Sequence, residues 1–186
     1  MLSGPSTCSR AALLLVLGWL APAFAENGPA PAAPRWQDFH SEEGRFRVEL
    51  PGAPRVERSA HRTAMGSVTE VSFRVAWAHQ EVAVVYEDIP AAAAWLMPAG
   101  VILGRAAASL VEDASGREIE SRESKWRGYP AWELRYLLPG SPALESQVRL
   151  VLVEARLYLV AARWPQDQGV PAEVARFRAS FEVEAK

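Results

Sequence analysis

The sequence has almost no cysteine and few histidines. Its 186 residues include one cysteine and three histidines. The cysteine, Cys8, lies near the amino terminus, so a domain further along the chain must be held together by packing without disulfides. His61 and His79 have no partner at the spacing of metal ligands. We therefore expect no structural metal and no cofactor.

The sequence also lacks a long hydrophobic run, apart from a short one near its start. Residues 11–20 are apolar, about half of the ~20 that a membrane-spanning helix needs, and the A-x-A pattern of Ala23 and Ala25 precedes Glu26. These features predict a signal peptide over residues 1–25 with cleavage after Ala25. We expect a periplasmic or secreted protein without stable membrane insertion, and retention of the peptide as an anchor is the alternative.

Neither sign of charge dominates. Residues 26–186 carry 22 acidic and 19 basic side chains, a formal net charge of −3. This balance gives no electrostatic reason to expect nucleic acid or an anionic membrane as a partner. Their 161 residues suffice for one domain with a substantial core. Three prolines within residues 26–34 predict an extended leader rich in proline and alanine, so the single domain would span residues 35–186.

The most apolar part of this domain is residues 145–164, ESQVRLVLVEARLYLVAARW. Apolar side chains alternate with period two, and the polar break at Glu154 predicts a hairpin turn. Both faces of each strand are apolar, which predicts central strands covered on both sides. The predicted faces are Val148, Leu150 and Leu152 on the first strand, and Tyr158, Val160, Ala162 and Trp164 on the second.

Shorter alternating segments on either side of this hairpin predict further strands. They are residues 36–39, 45–50, 55–63, 67–77, 81–88, 117–126 and 132–138. Two segments have helical spacing instead: residues 98–114, and a closing helix that begins near Pro171. Strands in series with an inserted helix and a closing helix predict the α+β class, a mostly antiparallel sheet with helices packed on it.

Five short motifs lie along the predicted domain. They are FHSEEGRFRVELPGAP at residues 39–54, YEDIP at 86–90, GYPAWE at 128–133, RLY at 156–158 and FRASF at 177–181. Together they resemble exported bacterial domains of the PsbP, DcrB and Mog1 type, over residues 36–183. The resemblance implies an αβα sandwich and a non-enzymatic accessory or binding role. It carries no catalytic residue onto this sequence.

Two groups of carboxylates are candidates for chemistry. Asp38, His40 and Glu42 would share one face of an extended segment and could hold a divalent cation, although a solvated strand end is the simpler interpretation. Glu87 and Asp88 could form an acid-base pair at a strand end. Adjacent residues of a strand point to opposite faces, however, which disfavours that pairing.

Motifs for nucleophilic or phosphate chemistry are lacking. Ser124, Ser146 and Ser180 have no G-x-S-x-G setting. Gly100 and Gly104 fall in or beside the predicted helix of residues 98–114 and do not form a phosphate-binding loop. We therefore expect that the protein is not an enzyme. A small hydrolase-like envelope enzyme that uses carboxylates or histidines is the alternative.

Aromatic residues indicate a candidate site more strongly than the carboxylates and serines do. Seven tryptophans is many for this length, and Trp126, Tyr129 and Trp132 lie close together in sequence around Gly128 and Pro130. Exposed aromatics of this kind would anchor an envelope protein or a small apolar ligand, whereas core packing is the alternative. The sequence thus favours an exported, non-enzymatic binding or accessory protein of the bacterial cell envelope, with a passive structural domain as a third hypothesis.

Overall fold

The structure, a computed structural model, describes residues 34–63 and 66–184. The predicted cleavage residues Ala23, Ala25 and Glu26 lie outside the described residues, as do the signal peptide and most of the leader. The strands are β1 (Gln37–Ser41), β2 (Phe46–Leu50), β3 (Arg55–Thr63), β4 (Gly66–Trp77), β5 (Gln80–Asp88), β6 (Arg117–Trp126), β7 (Tyr129–Leu138), β8 (Leu144–Val153), β9 (Arg156–Pro165) and β10 (Glu182–Val183). The helices are α1 (Ala91–Leu96), α2 (Ala99–Asp113) and α3 (Ala172–Ser180), and none of these three is long and apolar enough to cross a membrane.

The strands form two antiparallel sheets. The larger sheet has the order β3-β4-β5-β9-β8-β7-β6, and the smaller one the order β1-β2-β10. This architecture confirms the predicted α+β class. The predicted central hairpin is confirmed as well, because β8 and β9 pair along their whole length in the middle of the larger sheet.

Each face of the larger sheet has its own apolar core. On one face, Leu103 and Leu110 of α2 pack with Leu150 of β8 and its neighbours. On the other face, the smaller sheet and α3 contribute Phe46 and Phe177 to the second core. Coverage on both sides explains why both faces of β8 and β9 are apolar in sequence. The result is a three-layer sandwich with the larger sheet in the middle.

The predicted helices match the structure closely, but some of the element boundaries do not. α2 begins after Pro98 and ends before Gly116, whose backbone N–H donates to the carbonyl of Val111 at 2.8 Å. The strand predicted over residues 132–138 begins earlier than expected, so the predicted gap between residues 126 and 132 is wrong. The β6–β7 turn needs only Arg127 and Gly128, both at positive φ, so β7 starts at Tyr129. The helix α1 was not predicted.

Three of the five sequence motifs meet at one structural joint. The Arg156 guanidinium donates to both carboxylate oxygens of Asp88 at 2.6 Å and to the backbone carbonyl of Glu43 at 2.6 Å. The hydroxyl of Tyr158 donates to the carbonyl of Gly44 at 2.8 Å. Strand β9 therefore fixes both the β1–β2 turn and the end of β5, which accounts for the motifs at residues 39–54, 86–90 and 156–158 in structural terms.

Candidate functional site

The structure does not assemble the predicted carboxylate-imidazole set. His40 lies on β1 with its Nε2 atom 3.0 Å from Glu184 Oε2, and Arg47 Nε donates to the other oxygen of Glu184 at 2.7 Å. These two hydrogen bonds lower the pKa of Glu184. Glu42 lies in the turn after β1, away from the strand that carries Asp38. Among the described residues, no three His, Cys, Asp or Glu side chains are placed to hold a metal.

The carboxylates of Glu87 and Asp88 point to opposite faces, as predicted. Asp88 pairs with Arg156 on the outer side of the joint. Glu87 is 4% exposed and lies directly opposite Glu70 in the β4–β5 register. Burial raises the pKa of Glu87 to about 8, and the neighbouring carboxylates of Glu70 and Asp88 contribute to the shift.

Glu70 was missed by the sequence analysis. Alternation with apolar residues along residues 67–77 favours a solvent-facing side of β4 for Glu70 and Ser72, but both side chains are buried. Alternation records which residues share a face, and it does not record whether water reaches that face. The position of Glu70 opposite Glu87 follows from strand register alone.

The buried carboxyl pair borders a very small cavity. Its volume is about 10 Å³, and Val85, Leu150, Leu157 and Leu159 contribute apolar walls. A space of this size holds about one water molecule. The pair can hold a proton or bind a water there, and the cavity offers no room for an organic substrate.

The three candidate serines are part of the packing and hydrogen bonding of the fold. Ser180 at the end of α3 accepts a hydrogen bond from the backbone N–H of Glu49 at 2.9 Å and donates to the carbonyl of Phe177 at 2.8 Å. It ties α3 to β2. Ser146 is fully buried within β8, and Ser124 lies on β6 with a buried hydroxyl. In the described part of the chain, none of the three hydrogen-bonds to an imidazole.

The predicted aromatic surface is divided between two faces of the sheet. Trp126 and Tyr129 face each other across the β6–β7 turn and pack against the core below the smaller sheet, where the Trp126 ring centre lies 5.4 Å from that of Phe181. Trp132 points to the opposite face, packs against the α2 core and donates from Nε1 to Ser121 Oγ at 2.9 Å. All three are partly buried, so they do not form one exposed surface.

Among the residues that the structure describes, a different aromatic residue is the most exposed one. Trp95 is 87% exposed and its neighbour Leu96 is 68% exposed, both at the end of α1. Val101, in the first turn of α2, is 42% exposed. We call these three residues the apolar corner. Trp95 and Leu96 are consecutive, and neighbouring large apolar side chains that stay exposed on a folded domain indicate an interaction site.

The sequence carries a signal for the apolar corner. Residues 89–104 contain no charged side chain, and this run of sixteen is the longest uncharged one in residues 26–186. A short helix followed by Pro98 interrupts the run, so that it cannot be buried as one continuous helix. Trp95 is exposed because α1 ends before Pro98. The composition of the run alone does not predict where this helix ends.

An open recess lies next to the apolar corner. Its volume is about 740 Å³. The start of α2 lines it with Pro98, Ala99 and Gly100, and the β6–β7 hairpin lines it with Glu123, Ser124, Lys125, Gly128 and Pro130. A Cβ atom on Gly100 would lie 3.1 Å from a Glu123 carboxylate oxygen. The carboxylate thus sits at the amino end of α2, where the helix dipole favours negative charge.

Comparison with known proteins identifies the fold. The solution structure of cyanobacterial PsbP, CyanoP, from Synechocystis sp. PCC 6803 is similar to this chain, with a TM-score of 0.57 and 15% sequence identity over 88% of this chain and 99% of CyanoP. The chain has a PsbP-type fold. A Pseudomonas aeruginosa protein of unknown function matches with a TM-score of 0.39 and 14% identity, over 71% of this chain and 85% of that protein. No family model and no curated protein matches the sequence.

The PsbP-type fold confirms the architecture that the five motifs implied. At 15% identity, the similarity to CyanoP concerns the fold and carries no function, because one fold supports many functions. The features of this chain that bear on its function are the apolar corner and the buried carboxyl pair.

Proposed function

We propose that this protein is an exported, non-enzymatic binding or accessory module of the bacterial cell envelope, and that it binds its partner through the apolar corner of Trp95, Leu96 and Val101. The observation that carries the proposal is the exposure of Trp95 at 87% beside Leu96 at 68%. The sequence features of a signal peptide at residues 1–25 support export.

The energetics of the apolar corner favour binding over a passive role. Transferring a large apolar side chain from water to an apolar environment contributes about 1.5–3 kcal/mol. Trp95 and Leu96 gain little of this in the isolated fold, because most of their surface stays in water. Tryptophan is also enriched among the residues that dominate binding energies at interfaces. A partner that covers both side chains would gain several kcal/mol from two residues.

A small envelope enzyme is the second candidate, because Glu87 has a raised pKa of about 8. Strongly shifted carboxyl groups are enriched at catalytic sites. We rank this function second since Glu87 is 4% exposed and its cavity measures about 10 Å³, so substrate has no access to the carboxyl group.

Site-specific photo-crosslinking tests the proposal. A photoreactive residue at position 96 should form defined adducts in intact envelopes, and Trp95→Ala in the same chain should abolish them. The matched control is the same photoreactive residue at position 170, because Val170 is an exposed apolar residue on a different part of the domain. Adducts that are the same from both positions, or that persist in Trp95→Ala, would refute the assignment of the corner.

A further inference from the structure

The apolar corner has two basic neighbours. Arg105 lies one helical turn beyond Val101 on α2, and Lys125 lines the recess that begins at Pro98. Both side chains are exposed. Among the described residues, neither forms an ion pair or a side-chain hydrogen bond. Two unpaired positive charges therefore lie on the elements that follow and adjoin α1, Arg105 on α2 and Lys125 in the recess beside Pro98.

Unpaired basic side chains are uncommon elsewhere in this domain. Most arginines bind a carboxylate, which suits a chain with a net negative charge. Examples are Arg47 with Glu184, Arg58 with Glu43, Arg135 with Glu145, Arg149 with Glu133, Arg156 with Asp88 and Arg176 with Glu49. The acid near the corner, Glu123, lies at the amino end of α2 and does not bind Arg105 or Lys125. The charged side chains in residues 89–105 and in the lining of the recess are Arg105, Lys125 and Glu123, so this region has a net charge of +1, although the whole chain is acidic.

We infer that the apolar corner binds a membrane surface that contains anionic lipid. Trp95 and Leu96 would enter the boundary between headgroups and acyl chains, where tryptophan is enriched. Arg105 and Lys125 would lie beside the lipid phosphates, where each basic residue strengthens attachment to an anionic leaflet. This inference rests on the proposed function and names the partner of the same corner.

The size of the corner favours a membrane over a protein partner. A stable protein interface engages about 20–30 residues on each side, whereas this corner offers three large exposed apolar side chains. Shallow insertion into a lipid interface needs only a few such side chains together with basic neighbours. Attachment of this kind is reversible and weakens with salt, because its electrostatic part is screened.

Co-sedimentation with lipid vesicles tests the inference on protein recovered from the exported fraction. The protein should sediment with vesicles of phosphatidylcholine and phosphatidylglycerol at low salt, and much less with phosphatidylcholine alone or at high salt. Trp95→Ala with Leu96→Ala should weaken binding at least about tenfold. Arg105→Gln with Lys125→Gln should weaken it about 25-fold, roughly fivefold for each charge.

Two control variants and the crosslinking result make the test decisive. Val170→Ala and Arg117→Gln remove an exposed apolar side chain and an exposed basic one away from the corner, and both should leave sedimentation unchanged. Equal losses in these controls, or no sedimentation of the parent protein at low salt, would overturn the inference. If position 96 crosslinks to a protein or to a second copy of the chain and vesicles do not bind, the proposed function stands and the membrane inference fails. If neither crosslinks nor vesicle binding occur, both fail.

Discussion

Replacing Glu87 by glutamine should stabilise the protein at high pH and change little at low pH. The carboxyl group is 4% exposed and faces Glu70 across β4 and β5. Its pKa is about 8 in the fold, against an ordinary value of 4.5. Between these two values the unfolded chain has released the proton while the folded protein still holds it. The unfolded state therefore binds fewer protons, and stability falls as the pH rises.

The magnitude follows from the pKa difference. A shift of one unit corresponds to about 1.4 kcal/mol, so a rise from 4.5 to about 8 corresponds to about 5 kcal/mol of stability lost between those pH values. Glutamine has nearly the shape of the protonated carboxyl group and does not ionise. We expect Glu87→Gln to exceed the parent in unfolding free energy by about 3–5 kcal/mol at pH 8, and by under about 1 kcal/mol at pH 4.5.

Urea melts of the parent and of Glu87→Gln at the two pH values provide the measurement. Asp167→Asn serves as the control, because Asp167 is exposed and its replacement should leave the pH dependence unchanged. Glu70→Gln should reduce the pH dependence only in part, since burial contributes more to the shift than the neighbouring charge does. A parent protein with the same pH dependence as Glu87→Gln would refute the reasoning, because Glu87 would then titrate alike in both states.

Four further predictions concern the core, a turn, metal and export. Leu150→Ala should cost about 2–5 kcal/mol in denaturant melts, because Leu150 is 1% exposed between α2 and the sheet. Gly128→Ala should cost about 1–2 kcal/mol in the same assay through backbone strain alone, since its φ is +88° and no atom lies within 4 Å of the added Cβ. Chelator treatment should leave the melting temperature unchanged, and a drop reversed by zinc or calcium would point back to Asp38 and its neighbours. Amino-terminal sequencing of exported protein should start at Glu26, and a start at Met1 on membrane-bound protein would contradict export.

Much of the fold could be predicted from the sequence because its elements have local causes. The period-two pattern of residues 145–164 predicted β8 and β9, and apolar residues on both faces predicted their central position. Helical spacing followed by Gly116 predicted α2 within about one residue at each end. These properties depend on residues close together in the chain, so the sequence determines them without knowledge of any distant contact.

The candidate sites depended on contacts that the sequence does not contain. His40 pairs with Glu184, which lies 144 positions away, so the set with Asp38 and Glu42 does not form. Arg149, the one charged residue between the apolar positions of β8 from Val148 to Val153, is largely buried and binds Glu133 at 2.7 Å. Its charge is satisfied by the neighbouring strand β7, and its replacement by alanine would therefore cost more than that of an exposed residue.

The sequence by itself determined which residues alternate, and it located α2, α3 and the β8–β9 hairpin, whereas it did not give α1 or the start of β7. Only the tertiary structure decided that Trp126 and Trp132 face opposite sides of the sheet, that Glu70 lies against Glu87, and that Trp95 is exposed. The physical reason is that neighbours across a sheet are set by strand register, and exposure is set by what packs above a residue. Both depend on the whole chain at once, and a local pattern in the sequence records neither.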